Sequence, residues 1–93
     1  MIRSFHDRDT EMLANGQRSR KLPLEIQTKA FSKLSMLAAA TIPQDLQSPP
    51  SNRFHALDRD RKGQYSISIN MQWRICFGWS DGGATDVEIT DYH

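Results

Sequence analysis

Two hydrophobic periods divide this chain. Between residues 23 and 40 the apolar positions Ala30, Phe31, Leu34, Leu37 and Ala38 recur at the i, i+1, i+4, i+7, i+8 spacing of one helical face. Lys29 and Lys33 fall away from that stripe, Pro23 suits a first helical turn, and Pro43 ends or restarts the helix. From residue 65 onward the period drops to 2. Tyr65, Ile67 and Ile69 alternate with Ser66, Ser68 and Asn70; Trp73, Ile75, Phe77 and Trp79 alternate with Arg74, Cys76, Gly78 and Ser80. Both runs read as half-buried strands. Because both apolar sets occupy odd positions, they share a sheet face only if paired residue numbers have an even sum. An odd hairpin loop centred on Met71 meets that condition, pairing Ile69 with Trp73 and Ile67 with Ile75. Arg74 then lies across from Ser68 on the opposite, polar face.

The remaining elements follow from local signals. Ile2 to His6 is a candidate first strand. Asp7, Asp9 and Glu11 place negative charge where a helix N-terminus favours it, and Asn15-Gly16 stops that helix. Residues 47–52 and 58–63 read as loops, from the consecutive prolines of the first and the charged, glycine-terminated run of the second. Asp81-Gly82-Gly83 makes the next hairpin turn, and Val87 and Ile89 continue a last strand toward Asp91-Tyr92-His93. The expected class is α+β, with an N-terminal strand and two helices packed on one face of an antiparallel sheet. Residues 1–93 form one domain, since a chain of 93 residues has no interior to divide.

Composition narrows the function classes. A hydrophobic fraction of 38% with 25% charged residues fits a globular chain, and no apolar run approaches the ~18 residues of a membrane span. The start lacks the apolar core of a secretory signal, and the single Cys76 can form no internal disulfide, so an intracellular, cytoplasmic protein is expected. The net charge of +1 conceals an asymmetry: residues 1–62 carry +4 and residues 63–93 carry −3. That split suggests a basic face toward one partner, and nucleic acid is one such partner.

The residues that can carry chemistry are His55, Arg74, Asp91, Tyr92 and His93. Imidazole moves protons near neutral pH, and guanidinium holds a phosphate and neutralises charge developing on it. Tyrosine stacks on a base or donates a proton. Each has a plainer reading: His55 as a surface loop histidine, Arg74 as half of a cross-sheet ion pair, residues 91–93 as a frayed end. Cys76, Met36 and Met71 read as packing or turn residues, and His6 as a border of the first helix.

The run Gly63-Gln64-Tyr65-Ser66-Ile67-Ser68-Ile69-Asn70-Met71-Gln72-Trp73-Arg74-Ile75-Cys76-Phe77 resembles the core motif of HigB-type toxins, members of the RelE/ParE superfamily of toxin–antitoxin pairs. Met1-Ile2-Arg3-Ser4-Phe5, Asn52-Arg53-Phe54-His55-Ala56-Leu57 and Asp91-Tyr92-His93 match the same pattern in order. The resemblance implies a RelE-like fold and a metal-independent endoribonuclease, without cofactor, that cuts translated mRNA in the ribosomal A site. It also implies a helix-turn-helix antitoxin of HigA type. Catalytic roles carry over to His55, Arg74, Asp91, Tyr92 and His93. Asp58 stands where the family pattern has a cation, leaving Arg53, Arg59, Arg61 and Lys62 as the residues expected to contact RNA. Two rival readings use the same fold: a non-enzymatic inhibitor of DNA gyrase like the ParE toxins, and a weakened toxin that acts mainly as transcriptional co-repressor.

Overall fold

Asp7 opens the first helix, α1 (Arg8–Ala14): its carboxylate accepts from the Thr10 backbone N–H at 2.7 Å. Gly16, at φ 81°, turns the chain away at the other end, as a C′ glycine does. The computed structural model describes residues 1–91. The second helix, α2 (Leu24–Ala39), begins just after Pro23, whose carbonyl accepts from the Ile26 N–H at 3.2 Å. A four-stranded antiparallel sheet follows, in the spatial order β1 (His55–Ala56), β2 (Tyr65–Ser68), β3 (Trp73–Ser80), β4 (Gly83–Asp91). No helix among the described residues is long and apolar enough to cross a membrane.

The hairpin between β2 and β3 has the register that places both apolar sets on one face. Ile67 pairs with Ile75 and Ser68 with Arg74, and the Ile69 N–H donates to the Trp73 carbonyl at 2.8 Å. Asp81 and Gly82, both at positive φ, form a two-residue turn between Ser80 and Gly83. Ile67, Ile69, Ile75, Phe77, Val87 and Ile89 point to one face, where they form a single core with Ile26, Ala30, Leu34 and Leu37 of α2 and Leu13 of α1.

The N-terminal segment runs parallel to β4, but as two isolated bridges, Ile2–Ala84 and Phe5–Val87, instead of a continuous strand. The cause lies in β4. Its register against β3 shifts between Cys76 and Gly78, and Asp86, at φ 53°, is the extra residue of the bulge. The segment also requires Gly83 to lack a side chain, since a Cβ there would come within 2.6 Å of Arg3 and 2.9 Å of the Met1 carbonyl.

The buried stripe of α2 is rotated from the sequence expectation. Phe31 is 43% exposed, whereas Lys33, expected off the stripe, is 5% exposed. The reason is Asn52, a fully buried side chain 19 residues on. Lys33 Nζ donates to its Oδ1, while Asn52 Nδ2 donates to the carbonyls of Leu46 and Ser48. The loop read over residues 47–52 is therefore ordered, with two short 3₁₀ turns, Pro43–Gln47 and Pro50–Asn52, hung on one amide. Burial, and secondarily Lys29, pushes the Lys33 ammonium below its ordinary value.

Asn52→Ala strips the ammonium of its acceptor and is expected to cost about 3 kcal/mol, read by urea unfolding at neutral pH. The folded chain releases the Lys33 proton at lower pH than the unfolded chain does. The unfolded state therefore binds more protons in the window below 10.5, and the contribution of this site to stability rises with pH there. The unfolding free energy of wild type minus that of Lys33→Met should climb through that window; a flat difference would contradict the burial of the charge.

Candidate active site

The helices leave one sheet face to other coverings. Ser66, Ser68, Arg74, Cys76, Glu88 and Thr90 point there by strand alternation and register, and His55 joins them because β1 pairs His55 with Ser66. His55 is thus a strand residue, not the loop histidine of the plainer reading. The ring of its neighbour Phe54 stacks on Tyr65 with centroids 5.4 Å apart, so the chain entering β1 is anchored in the core.

His55 and Arg74 meet around a main-chain carbonyl. Arg53, which ends the second 3₁₀ turn in the left-handed conformation (φ 48°, ψ 48°), aims its carbonyl at both side chains. Arg74 Nη2 donates to it at 3.0 Å, and His55 Nδ1 lies 3.1 Å from it. Arg74 Nη2 is also 3.3 Å from His55 Nδ1, while Arg74 Nε donates to Ser66 Oγ at 2.8 Å. With hydrogen on Nδ1 the ring donates to the Arg53 carbonyl; with Nδ1 bare it accepts from Arg74 Nη2. In the Nδ1–H tautomer Nε2 keeps its lone pair and can serve as a base. An open cleft of about 520 Å³, lined by residues 55–61, adjoins the pair.

The four candidate RNA contacts separate by geometry. Arg53, Arg59 and Lys62 expose their side chains. Arg61 is committed within the protein: Nη2 donates to Glu88 Oε1 at 3.0 Å and Nη1 to Gln64 Oε1 at 3.0 Å. The Glu88 carboxylate holds the Arg61 guanidinium even more firmly charged than usual. His6 adds itself to this cluster, with Nδ1 3.3 Å from Asp86 and Nε2 3.6 Å from Glu88.

Asp91 ends β4 across from Trp73, which puts it on the face opposite Arg74, and its carboxylate accepts from Gln72 Nε2 at 3.1 Å. The structure therefore brings His55 and Arg74 together and leaves Asp91 on the other side of the sheet. Tyr92 and His93, the remaining candidates, lie outside the described residues. Among the described residues no group of three or more His, Cys, Asp or Glu side chains is placed to hold a metal.

Two participants had no prominence in the sequence. Ser66 was one member of an alternating polar set, yet its diagonal relation to Arg74 follows from the hairpin register. The Arg53 carbonyl carries no side-chain signature at all. Cys76 is fully buried on this face, and burial pushes its thiol above the ordinary value. It should resist a thiol reagent such as Ellman's reagent in the native state and react once in denaturant. Rapid reaction of the native protein would show that the charged covering of this face opens readily.

Residues 3–93 match the model of a family described as the RelE-like toxin of the type II toxin–antitoxin system HigB. The chain is 40% identical over 90 residues to Toxin HigB-1 of Vibrio cholerae serotype O1, covering 96% of this chain and 95% of that protein. It is 28% identical over 93 residues to the Endoribonuclease HigB of Proteus vulgaris, across the whole of both chains. Its fold resembles that of YafQ from E. coli, with a TM-score of 0.63 at 15% identity, covering 98% of this chain and 93% of that one. It also resembles the YoeB–YefM complex from Staphylococcus aureus, with a TM-score of 0.62 at 16% identity, covering 100% and 98%. The two structural likenesses are of fold, and they agree with the RelE-like architecture expected from the sequence.

Proposed function

We propose that this chain, which belongs to the HigB-like family of RelE-like toxins from type II toxin–antitoxin systems, is a metal-independent endoribonuclease that cuts messenger RNA during translation. The observation that carries the reading is the His55–Arg74 pair, 3.3 Å apart around one carbonyl on the sheet face away from the helices. The relative from Proteus vulgaris, named as an endoribonuclease and aligned over the full length, supports it.

The chemistry needs a base, an acid and a charge stabiliser. A base removes the ribose 2′-OH proton as the 2′-oxygen attacks phosphorus. The P–O5′ bond breaks, and an acid protonates the leaving 5′-oxygen, giving a cyclic phosphate and a 5′-hydroxyl. His55 and His93 are the proton-transfer groups, with His55 given the base role, which its ring fills at Nε2 when Nδ1–H donates to the Arg53 carbonyl. Arg74 stabilises the negative charge on the pentavalent phosphorus. Tyr92 stacks on or orients the base, and Asp91 acts at the C-terminal end of β4 by orienting His93. Arg53, Arg59 and Lys62 contact the RNA backbone, with Arg61 reaching phosphate only by leaving Glu88.

With a net charge of +1 the protein has little independent grip on a polyanion, so the ribosomal A site supplies the positioning. The neutralising partner is an antitoxin, a role supported by the family and by the complex in which YoeB was solved; a helix-turn-helix, HigA-type protein is the form proposed. The site of action is the cytoplasm. Induced expression followed by pulse labelling tests the reading: amino-acid incorporation should stop while thymidine incorporation continues. If DNA synthesis stops first, the protein acts as a gyrase inhibitor and the ribonuclease reading fails.

A further inference from the structure

Ser66 stands between the two site residues. It faces His55 across the β1–β2 ladder, and Arg74 lies diagonally from it across the β2–β3 ladder, two positions beyond its direct partner Cys76. Its side chain is fully buried, with Oγ accepting the Arg74 Nε proton at 2.8 Å. The Arg53 carbonyl accepts from Nη2 of the same guanidinium at 3.0 Å. Two contacts on Nε and Nη2 fix a planar group in position and in rotation about its last torsions.

One atom in the cluster has more partners than it can serve at once. His55 Nδ1 either donates to the Arg53 carbonyl or accepts from Arg74 Nη2. When His55 carries a proton on both nitrogens, only the first remains, and a cation then sits 3.3 Å from the guanidinium. Two bonds of the guanidinium do not depend on the protonation of His55, Nη2 to the Arg53 carbonyl and Nε to Ser66 Oγ, and the second is the one a side chain supplies.

We infer that Ser66 is a positioning residue, whose hydroxyl keeps the Arg74 guanidinium beside His55 as the histidine gains its proton. The inference rests on the ribonuclease reading only for its kinetic consequence. Substrate contact belongs to Arg74, and Ser66 acts through it.

The test has two arms. In nitrogen–proton correlation spectra of the purified protein, the Arg74 Nε–H should give a sharp resonance protected from solvent exchange in wild type, with the protection lost in Ser66→Ala while the backbone spectrum stays folded. Equal protection in the two proteins overturns the inference, whether or not the protein cuts RNA. In single-turnover cleavage on programmed ribosomes, Ser66→Ala should lower the maximal rate about 10- to 100-fold with the half-saturating toxin concentration unchanged. The same substitution in an Arg74→Lys background, which has no Nε–H to anchor, should have almost no further effect. An undiminished maximal rate, or a full additional loss in the Arg74→Lys background, overturns it. Absence of cleavage by wild type counts against the ribonuclease reading alone, and the spectral arm still decides the role of Ser66.

Discussion

Arg74→Ala is expected to cut a translated message about 10²–10³-fold more slowly than wild type, the loss found when one preorganised charge stabiliser is removed. The magnitude comes from placement. The guanidinium is held at Nε and Nη2 before any substrate arrives, so no reorganisation is needed as charge develops on phosphorus. The substitution should leave the fold intact. Arg74 is half-buried and outside the core, and its removal costs about 1 kcal/mol, mainly from leaving Ser66 Oγ without its donor. For a chain of this size that lowers the melting temperature by about 4–8 °C. Quantified primer extension beside a thermal melt checks both numbers. Arg74→Lys keeps the charge and loses both anchored donors, so it should recover only part of the rate.

His55→Ala carries the other large effect, about 10²–10⁴-fold in cleavage, as for loss of a positioned general base. The side chain is exposed at the end of a two-residue strand, so stability should change by less than about 0.5 kcal/mol. A structural histidine would show the reverse, an unfolded protein and a rate loss that follows the folded fraction. The sharper readout is the pH–rate profile. Wild type should show the limb of a base that must be unprotonated, and His55→Ala should lack that limb while keeping whatever the acid imposes. A mutant with lowered rate and an unchanged profile would take His55 out of proton transfer and leave it a positioning role.

Much of the sheet was legible because strands of period 2 with one buried face tolerate no one-residue slip. Ile67 opposite Ile75 and Ser68 opposite Arg74 followed from parity together with a hairpin centred on Met71, and both pairs are present. What parity could not reach was anything set by long-range polar contacts. The two-residue β1 has no period to detect, and His55 joins the face away from the helices only because β1 pairs with β2. Lys33 entered the α2 stripe because an amide 19 residues away accepts a hydrogen bond from its ammonium, which no apolar pattern encodes. The bulge at Asp86 likewise turned an expected N-terminal strand into two bridges.

The site was legible in a different manner. Residue chemistry alone left His55 and Arg74 with plainer alternatives, and the motif resemblance raised both to catalytic candidates. The geometry adds what neither source contained, a main-chain carbonyl shared by the pair and a serine behind the arginine. Asp91 shows the converse. It was grouped with Arg74 by motif, yet the register sets it across from Trp73, on the face opposite Arg74.

The most direct test of ribosome-dependent cleavage by this pair is primer extension on one defined message presented in two forms, naked and under translation by purified ribosomes, with wild type and His55→Ala compared at equal concentration. Wild type should make discrete breaks within codons of the translated message, His55→Ala none, and neither should cut the naked RNA appreciably. Equal cutting of naked and translated RNA, or intact translated message alongside arrested growth, would contradict ribosome-dependent cleavage.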